Sequence, residues 1–452
     1  MAQVGGAPLA GVTQPAVAAG AAEAMDLETG DNVQHSNRYC LCKGLVQPGQ
    51  TDGSGAMRVD AAAGVTTDAL AVYLRLARSG DDTPHGTASA AEPEVSLFSL
   101  RRLDAAPPMV GEVYECRTTA PGPGVPTGLF TVDLAGPRGV AWVAVLRVRV
   151  AAPGAAMWQD LCGRADPLPA VRLLQRMHKH QCDQAGHVNV QVFFDLVDEA
   201  VAVLCQEARV PAPRLHVVQA RAVFKAELFA GDVVSVHSGV RGMDALGLDA
   251  VHGIVHQPSG RLACVVETRL AWLDASGQAV PSGTDAQSFE SGEIGEWGSL
   301  PRARPPAAPS VPARPPAAAV TSCVAVVDSW DADTDGWLQT RALVDMCSTG
   351  ARQYLATIGL DGARFAHEKI TVAAIDYLVE IRKRPRLGCN LTLRSSCLSG
   401  SSKVIRFAHH VIDSDRGEVV ATIEIVGVML DLMTHRPMEV PQDVKLRIEA
   451  VP

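Results

Sequence analysis

The side chains best placed for acyl chemistry sit close together in Cys182-Asp183-Gln184-Ala185-Gly186-His187-Val188-Asn189-Val190. A carboxylate such as Asp183 can activate water as a general base or attack an acyl carbon itself. It stands in a glycine-containing turn just ahead of a run with helical periodicity. The first amides of a helix lack intrahelical partners and carry the positive end of its dipole. An acyl oxygen that gains negative charge during transfer is stabilised at such a point. Gly186 supplies the backbone freedom of the turn. Asp is also favoured in turns and caps for its own hydrogen bonds, so a purely structural Asp183 is the plain alternative.

The helix that must position these groups is legible from apolar spacing. Val192, Phe193, Leu196, Val197, Ala200, Val203 and Leu204 recur at three-and-four intervals and share one face, while Asp195, Asp198 and Glu207 fall off it. Neither Pro nor Gly interrupts 188–208. The expected helix is about 18 residues, roughly 27 Å long. The strands expected around it are 173–182, 215–229, 232–241, 245–257 and 261–274, with turns at Ala230-Gly231-Asp232 and Pro258-Ser259-Gly260.

Asp183-x-x-Gly186-His187-Val188-Asn189, followed by Phe193-Phe194 and Asp198-Glu199-Ala200, resembles the hot-dog-fold acyl-CoA thioesterases of the 4-hydroxybenzoyl-CoA thioesterase type. The resemblance covers about 171–278. It implies an α+β fold in which an antiparallel sheet wraps a long central helix. It also implies Asp183 as general base or nucleophile, the Val190 amide as oxyanion donor, and His187 and Asn189 as groups orienting thioester or water. The sequence departs from the commonest pattern after Asn189: Val190-Gln191-Val192 intervenes, and Phe193-Phe194 stands where a Tyr is usual.

Two further stretches repeat this plan. Asp183-x-x-Gly186 recurs as Asp333-x-x-Gly336, and more loosely as Asp52-x-x-Gly55. Asp198 to Val203 stands opposite Thr67 to Val72, and Asp195 opposite Asp345. Gly111, Gly231 and Gly388 open corresponding strands. An internal repeat of this size predicts three hot-dog domains, at 36–152, 171–278 and 321–437. The remainder is expected as a tail over 1–35, a connector over 153–170, a Pro/Ala-rich extended linker over 279–320 and a C-terminal tail over 438–452. Asp333, Gly336 and Gln339 form a second candidate site, with Trp337 and Gln339 in place of His187 and Asn189. The first repeat has Ala56 and Arg58 at those positions, so no activity is expected there.

Composition narrows the function. With 47% hydrophobic and 20% charged residues the chain is of ordinary globular type, and its net charge of -9 disfavours a nucleic-acid partner. Eleven scattered Cys with no Cys-x-x-Cys pair suit a reducing compartment, and no signal, transit peptide or apolar run of about 20 residues is visible. A cytoplasmic protein without a membrane span is expected. His178, His180 and Cys182 alternate along the expected strand, but no further ligand pair accompanies them, so no metal or other cofactor is expected. No Gly-x-Ser-x-Gly elbow or phosphate-cradling loop occurs. The expected function is hydrolysis of an acyl-CoA to free acid and CoA, with CoA as the substrate's handle. A non-catalytic hot-dog acyl-binding or scaffold protein is the alternative. Unpaired sheet edges predict a homodimer.

Overall fold

The structure, a computed structural model, describes residues 38–45, 50, 54, 56–78, 94–103, 105–109, 113–119, 129–149, 171–183, 186–207, 215–257, 259–281, 311–434 and 436–449. Asp52 and Gly55 lie outside them. Three helices start at the same distance in sequence from Asp52, Asp183 and Asp333: α1 (Val59–Arg78), α2 (Val190–Glu207) and α3 (Thr340–Thr357). Two shorter ones follow, α4 (Gly362–Glu368) and α5 (Gln442–Glu449).

The strands are β1 (Arg38–Leu45), β2 (Glu94–Arg102), β3 (Val113–Thr119), β4 (Leu129–Gly136) and β5 (Gly139–Arg149) in the first segment. The second holds β6 (Val171–Arg176), β7 (Leu215–Phe224), β8 (Val233–Asp244), β9 (Gly247–His256), β10 (Arg261–Leu273) and the short β11 (Ala279–Val280). In the third are β12 (Val320–Val326), β13 (Ile370–Ile381), β14 (Asn390–Gly400), β15 (Val404–Asp413), β16 (Glu418–Asp431) and the short β17 (Arg436–Pro437).

One antiparallel order serves all three segments. The first strand pairs with the third, the third with the fourth, the fourth with the fifth and the fifth with the second. Irregularities recur as well. The first strand of each segment breaks register at Cys40/Cys42, Val171/Leu173 and Thr321/Cys323. Bulges of this kind bend a strand and strengthen its twist, which lets a sheet curl around a helix. Each long helix packs against strands of its own segment.

Two joints make the segments continuous. β1 meets β6 at Lys43 and Leu174. β7 and β13, the second strands of their segments, pair antiparallel from Val223 opposite Asp376 to Gln219 opposite Glu380. Across this second joint Arg221 Nη2 lies 2.9 Å from Asp376 Oδ2, and the Asp376 side chain is buried. Tyr377 packs near both Phe194 and Phe224. One hydrophobic core therefore spans the second and third segments, from Leu173 to Val444, whereas the first has its own around Leu70, Leu134 and Leu146. The third segment's edge strand β13 thus meets the second segment within the same chain.

Several local expectations change. The strand expected over 173–182 ends at Arg176 and gives way to a 3-10 turn, Lys179–Gln181, because Gln181 folds back to accept the His178 amide hydrogen. The strand expected over 215–229 ends at Phe224, since Asp232 turns the chain by accepting from the Phe229 amide. The C-terminal stretch expected as a tail carries α5, held by buried Val440 and Val444 and by an Asp443–Arg364 ion pair. Within the stretch expected as linker, residues 311–319 lie on the third segment: Val311 and Ala319 are buried, and the Pro312 carbonyl is 2.8 Å from His410 Nε2.

Replacing Asp376 by Ala leaves Arg221 without its carboxylate at the β7–β13 joint. Loss of about 3 kcal/mol is expected from urea unfolding; an unchanged midpoint would count against that pair as a fastening of the two segments.

Candidate functional site

The turn opened by Asp183 is closed by its own side chain. Asp183 Oδ1 accepts from the His187 amide at 3.0 Å, the Asp183 amide donates to the His187 carbonyl at 2.8 Å, and the Gly186 amide donates to the Asp183 carbonyl at 3.1 Å. Gly186 has φ of 88°, a conformation that favours glycine. Next, the Val188 amide donates to the Leu228 carbonyl and the Asn189 amide to the Gln181 carbonyl, which fixes where α2 begins. Among the described residues no acceptor takes the amide of Val190, the first helical residue.

The third segment builds the same turn. The Trp337 amide donates to Asp333 Oδ1 at 2.9 Å, Gly336 has φ of 80°, and the Gln339 amide donates to the Asp331 carbonyl. Geometry thus puts Asp333, Gly336 and Gln339 in the places of Asp183, Gly186 and Asn189.

The two helix starts differ in what faces them, because α2 and α3 pack against each other. Opposite the start of α3 stands Asp198 of α2. Its Oδ2 accepts from the Thr340 amide at 2.8 Å and from the Arg341 amide at 3.3 Å. The amide that corresponds to Val190 already holds a carboxylate. Buried Arg384 completes the closure, donating to the carbonyls of Leu338 and Val217 and to Thr340 Oγ1. His216 Nδ1 lies 3.4 Å from Asp333 Oδ2, and the Arg386 guanidinium stacks 4.3 Å from the Trp337 ring centre.

The start of α2 opens instead onto a cavity of about 630 Å3. Asp183, Asn189, Val190 and Gln191 line it together with Ser348 of α3, and its walls continue into the third segment. Ser348 holds on α3 the place that Asp198 holds on α2, so a small hydroxyl replaces the carboxylate that seals the other start. His187 stands beside this cavity and is absent from its lining. Its ring packs edge-on against Phe229 at 5.2 Å, with Nε2 3.8 Å from Glu227 and Nδ1 3.9 Å from Asp183 Oδ2.

Sequence periodicity left Asp195 and Asp198 as off-face residues. The structure makes them the contact between the two helices. Asp195 Oδ1 lies 3.3 Å from Arg341 Nε. Burial pushes the Asp195 carboxyl up to about 6; Arg341 opposes this and the nearby Asp198 adds to it. Burial also raises Asp198 and Asp333, against the pull of Arg384. The signal was present as two carboxylates three residues apart on one helix strip. Arg384, distant in sequence, gave none.

His178, His180 and Cys182 do not share a strand face. The rings of His178 and His180 stack at 5.4 Å, and His178 Nε2 lies 3.4 Å from Asp68 Oδ2 on α1. Cys182 Sγ turns back to the His178 carbonyl. Among the described residues no helix is long and apolar enough to cross a membrane.

A model of the thioesterase-like superfamily matches the chain twice, over residues 177–313 and 327–448, more than half of its length. No curated protein matches. Similar solved structures include a Lactobacillus plantarum protein described as an oleoyl thioesterase (13% identity, TM-score 0.42, covering 56% of this chain and 94% of that one). An acyl-ACP thioesterase from Bacteroides thetaiotaomicron shows 11% identity and a TM-score of 0.40 over 56% of this chain and 96% of that one. A Staphylococcus aureus protein solved in complex with CoA shows 15% identity and a TM-score of 0.27, covering 28% and 80%.

The raised Asp195 carboxyl fixes the sign of a pH effect. Between its ordinary value of 3.8 and about 6 the folded chain binds the proton more readily than the unfolded chain. Its contribution to stability is present below pH about 4 and lost as pH rises through about 6. Asp195→Asn is expected to flatten the stability profile between pH 4 and 6, measured by denaturant unfolding; an unaltered slope would contradict the assignment.

Proposed function

The chain belongs to the thioesterase-like superfamily, and from that premise we propose that it hydrolyses an acyl-CoA thioester to free acid and CoA at the start of α2. Thioester hydrolysis is the chemistry its superfamily is named for; the choice of CoA and the residue roles are our own reading. Asp183 activates water or attacks the thioester carbonyl. The Val190 amide, at the positive end of α2, takes the developing oxyanion. Asn189 lines the site and orients thioester or water, Gly186 holds the turn, and His187 steadies Asp183 from behind. No metal ion takes part in this scheme, since carboxylate and amide together meet both chemical demands. The observation that carries the reading is the opening of an acceptor-free helix amide and a turn carboxylate onto one cavity.

In the same reading each segment is a hot-dog domain around its long helix, with domains at 36–152, 171–278 and 321–437, the third extended by 311–319 and by α5. The second and third form the working pair. Asp333, Gly336 and Gln339 keep the turn of a second site, but the carboxylate of Asp198 occupies the amide a substrate oxygen would need. A non-catalytic acyl-binding role would use the same cavity without turnover. Cys116, Cys182, Cys205, Cys264, Cys323, Cys347, Cys389 and Cys397 are free thiols, which suits the cytoplasmic setting we propose.

Asp183→Asn keeps the oxygen that accepts the His187 amide and removes the basic carboxylate. A fall in thiol release of about 10²–10⁴-fold is expected across a panel of acyl-CoA and acyl-carrier-protein thioesters, with unchanged circular dichroism. A folded Asn variant of full activity would remove Asp183 from the chemistry. A wild-type chain that binds acyl-CoA without thiol release would favour the acyl-binding alternative.

The homodimer is proposed through β2. Among the described residues this strand pairs only with β5, while its counterparts β7 and β13 cover each other. Two chains joined by their β2 edges would give the first segment the partner it lacks. Sedimentation at micromolar concentration is expected to give twice the chain mass; a monomer refutes this arrangement.

A further inference from the structure

The cavity beyond Asp183 is larger than a small acyl group needs. Its 630 Å3 is about four times the roughly 150 Å3 that accommodates a benzene ring. The groups nearest the α2 start are polar. Beyond them the wall is mainly aliphatic, with Leu355, Leu360, Val372, Ile425 and Leu432, closed by Phe365. Thr371 and the exposed Arg352 are the polar members away from that start. From Ser348 to Leu355 the cavity follows α3 for about 10 Å.

Two features of the third segment create this space. β13 runs past its partner: pairing with β7 covers Asp376 to Glu380, and Ile370, Thr371, Val372 and Ala374 beyond it line the cavity. The connection from α3 to β13, which contains α4, also contributes Leu360 and Phe365 to the cavity wall. Midway along, Ala374 of β13 stands in register with Gly427 of β16, and both line the wall. A Cβ on Gly427 would lie 2.5 Å from Val372 Cγ1. Val is stiff about its first side-chain torsion, so any larger residue there would drive Val372 aside.

We infer that the third segment supplies an acyl pocket for an unbranched aliphatic chain longer than a single ring, with the Ala374–Gly427 pair setting its width and α4 its end; this rests on the proposed thioesterase site. The carboxylate and the chain-binding wall then come from different segments.

The test uses the full chain and straight-chain acyl-CoAs from C2 to C18, with benzoyl-CoA for comparison. kcat/KM is expected to rise about fourfold per added methylene, the fold-change given by ~0.8 kcal/mol per buried CH2, until the cavity is filled. Ala374→Leu should move the preference to shorter chains. Phe365→Ala, at the far end, should move it to longer ones and serves if the first variant does not fold. A flat profile, a preference for benzoyl-CoA, or folded variants that keep the wild-type profile would overturn the pocket. Calorimetric binding of dodecanoate separates the two readings. If no thioester is cleaved while dodecanoate binds wild type and not Ala374→Leu, the thioesterase reading fails and the pocket stands. No binding and no turnover overturn both.

Discussion

The pairing of β7 with β13 is the constraint on which the rest depends. Five residue pairs, from Val223–Asp376 to Gln219–Glu380, bring two sheets edge to edge and lay α2 against α3. Their number is small for such a task. Arg221 and Asp376 reinforce them with a buried ion pair, and Tyr377 fills the space between Phe194 and Phe224. A slip of one residue would turn every side chain of these strands to the opposite face. Asp376 would leave its partner, and the start of α2 would no longer face the third segment's wall.

Pairing like with like would ordinarily produce two equal sites. Here one residue position decides otherwise. Asp198 on α2 fills the α3 start, while the matching Ser348 on α3 leaves the α2 start open. A carboxylate there satisfies the helix dipole and two amides, and Arg384 offsets part of its desolvation. The closed start is therefore held by internal charge, and the open one presents its amide to a cavity.

Much of this was legible in the sequence. The turns at Asp183 and Asp333 announced themselves through Gly186 and Gly336, because positive φ restricts the residue choice. The helix over 190–207 followed from apolar spacing. What stayed hidden was whatever depends on the approach of distant segments. Asp198 and Asp195 look like solvent-facing carboxylates until α3 is laid against them, and Arg384 lies far from both. The stretch containing His178, His180 and Cys182 read as a strand from its alternation, yet Gln181 bends it into a turn through one local hydrogen bond. The cavity wall was invisible for the same reason: Ala374 and Gly427 become neighbours only through the register of β13 and β16.

The division of one cavity's lining between two joined repeats has an evolutionary consequence. In a symmetric pair built from identical chains, any change to the wall alters both sites together with the turn that serves them. Here the wall belongs to one repeat and the Asp183 turn to another. Once the repeats are covalently linked, drift in 370–374 or in α4 can reshape the cavity while the Asp183 turn is left untouched. The repeat whose own helix start is closed by Asp198 thereby becomes the free variable that shapes the cavity of the other.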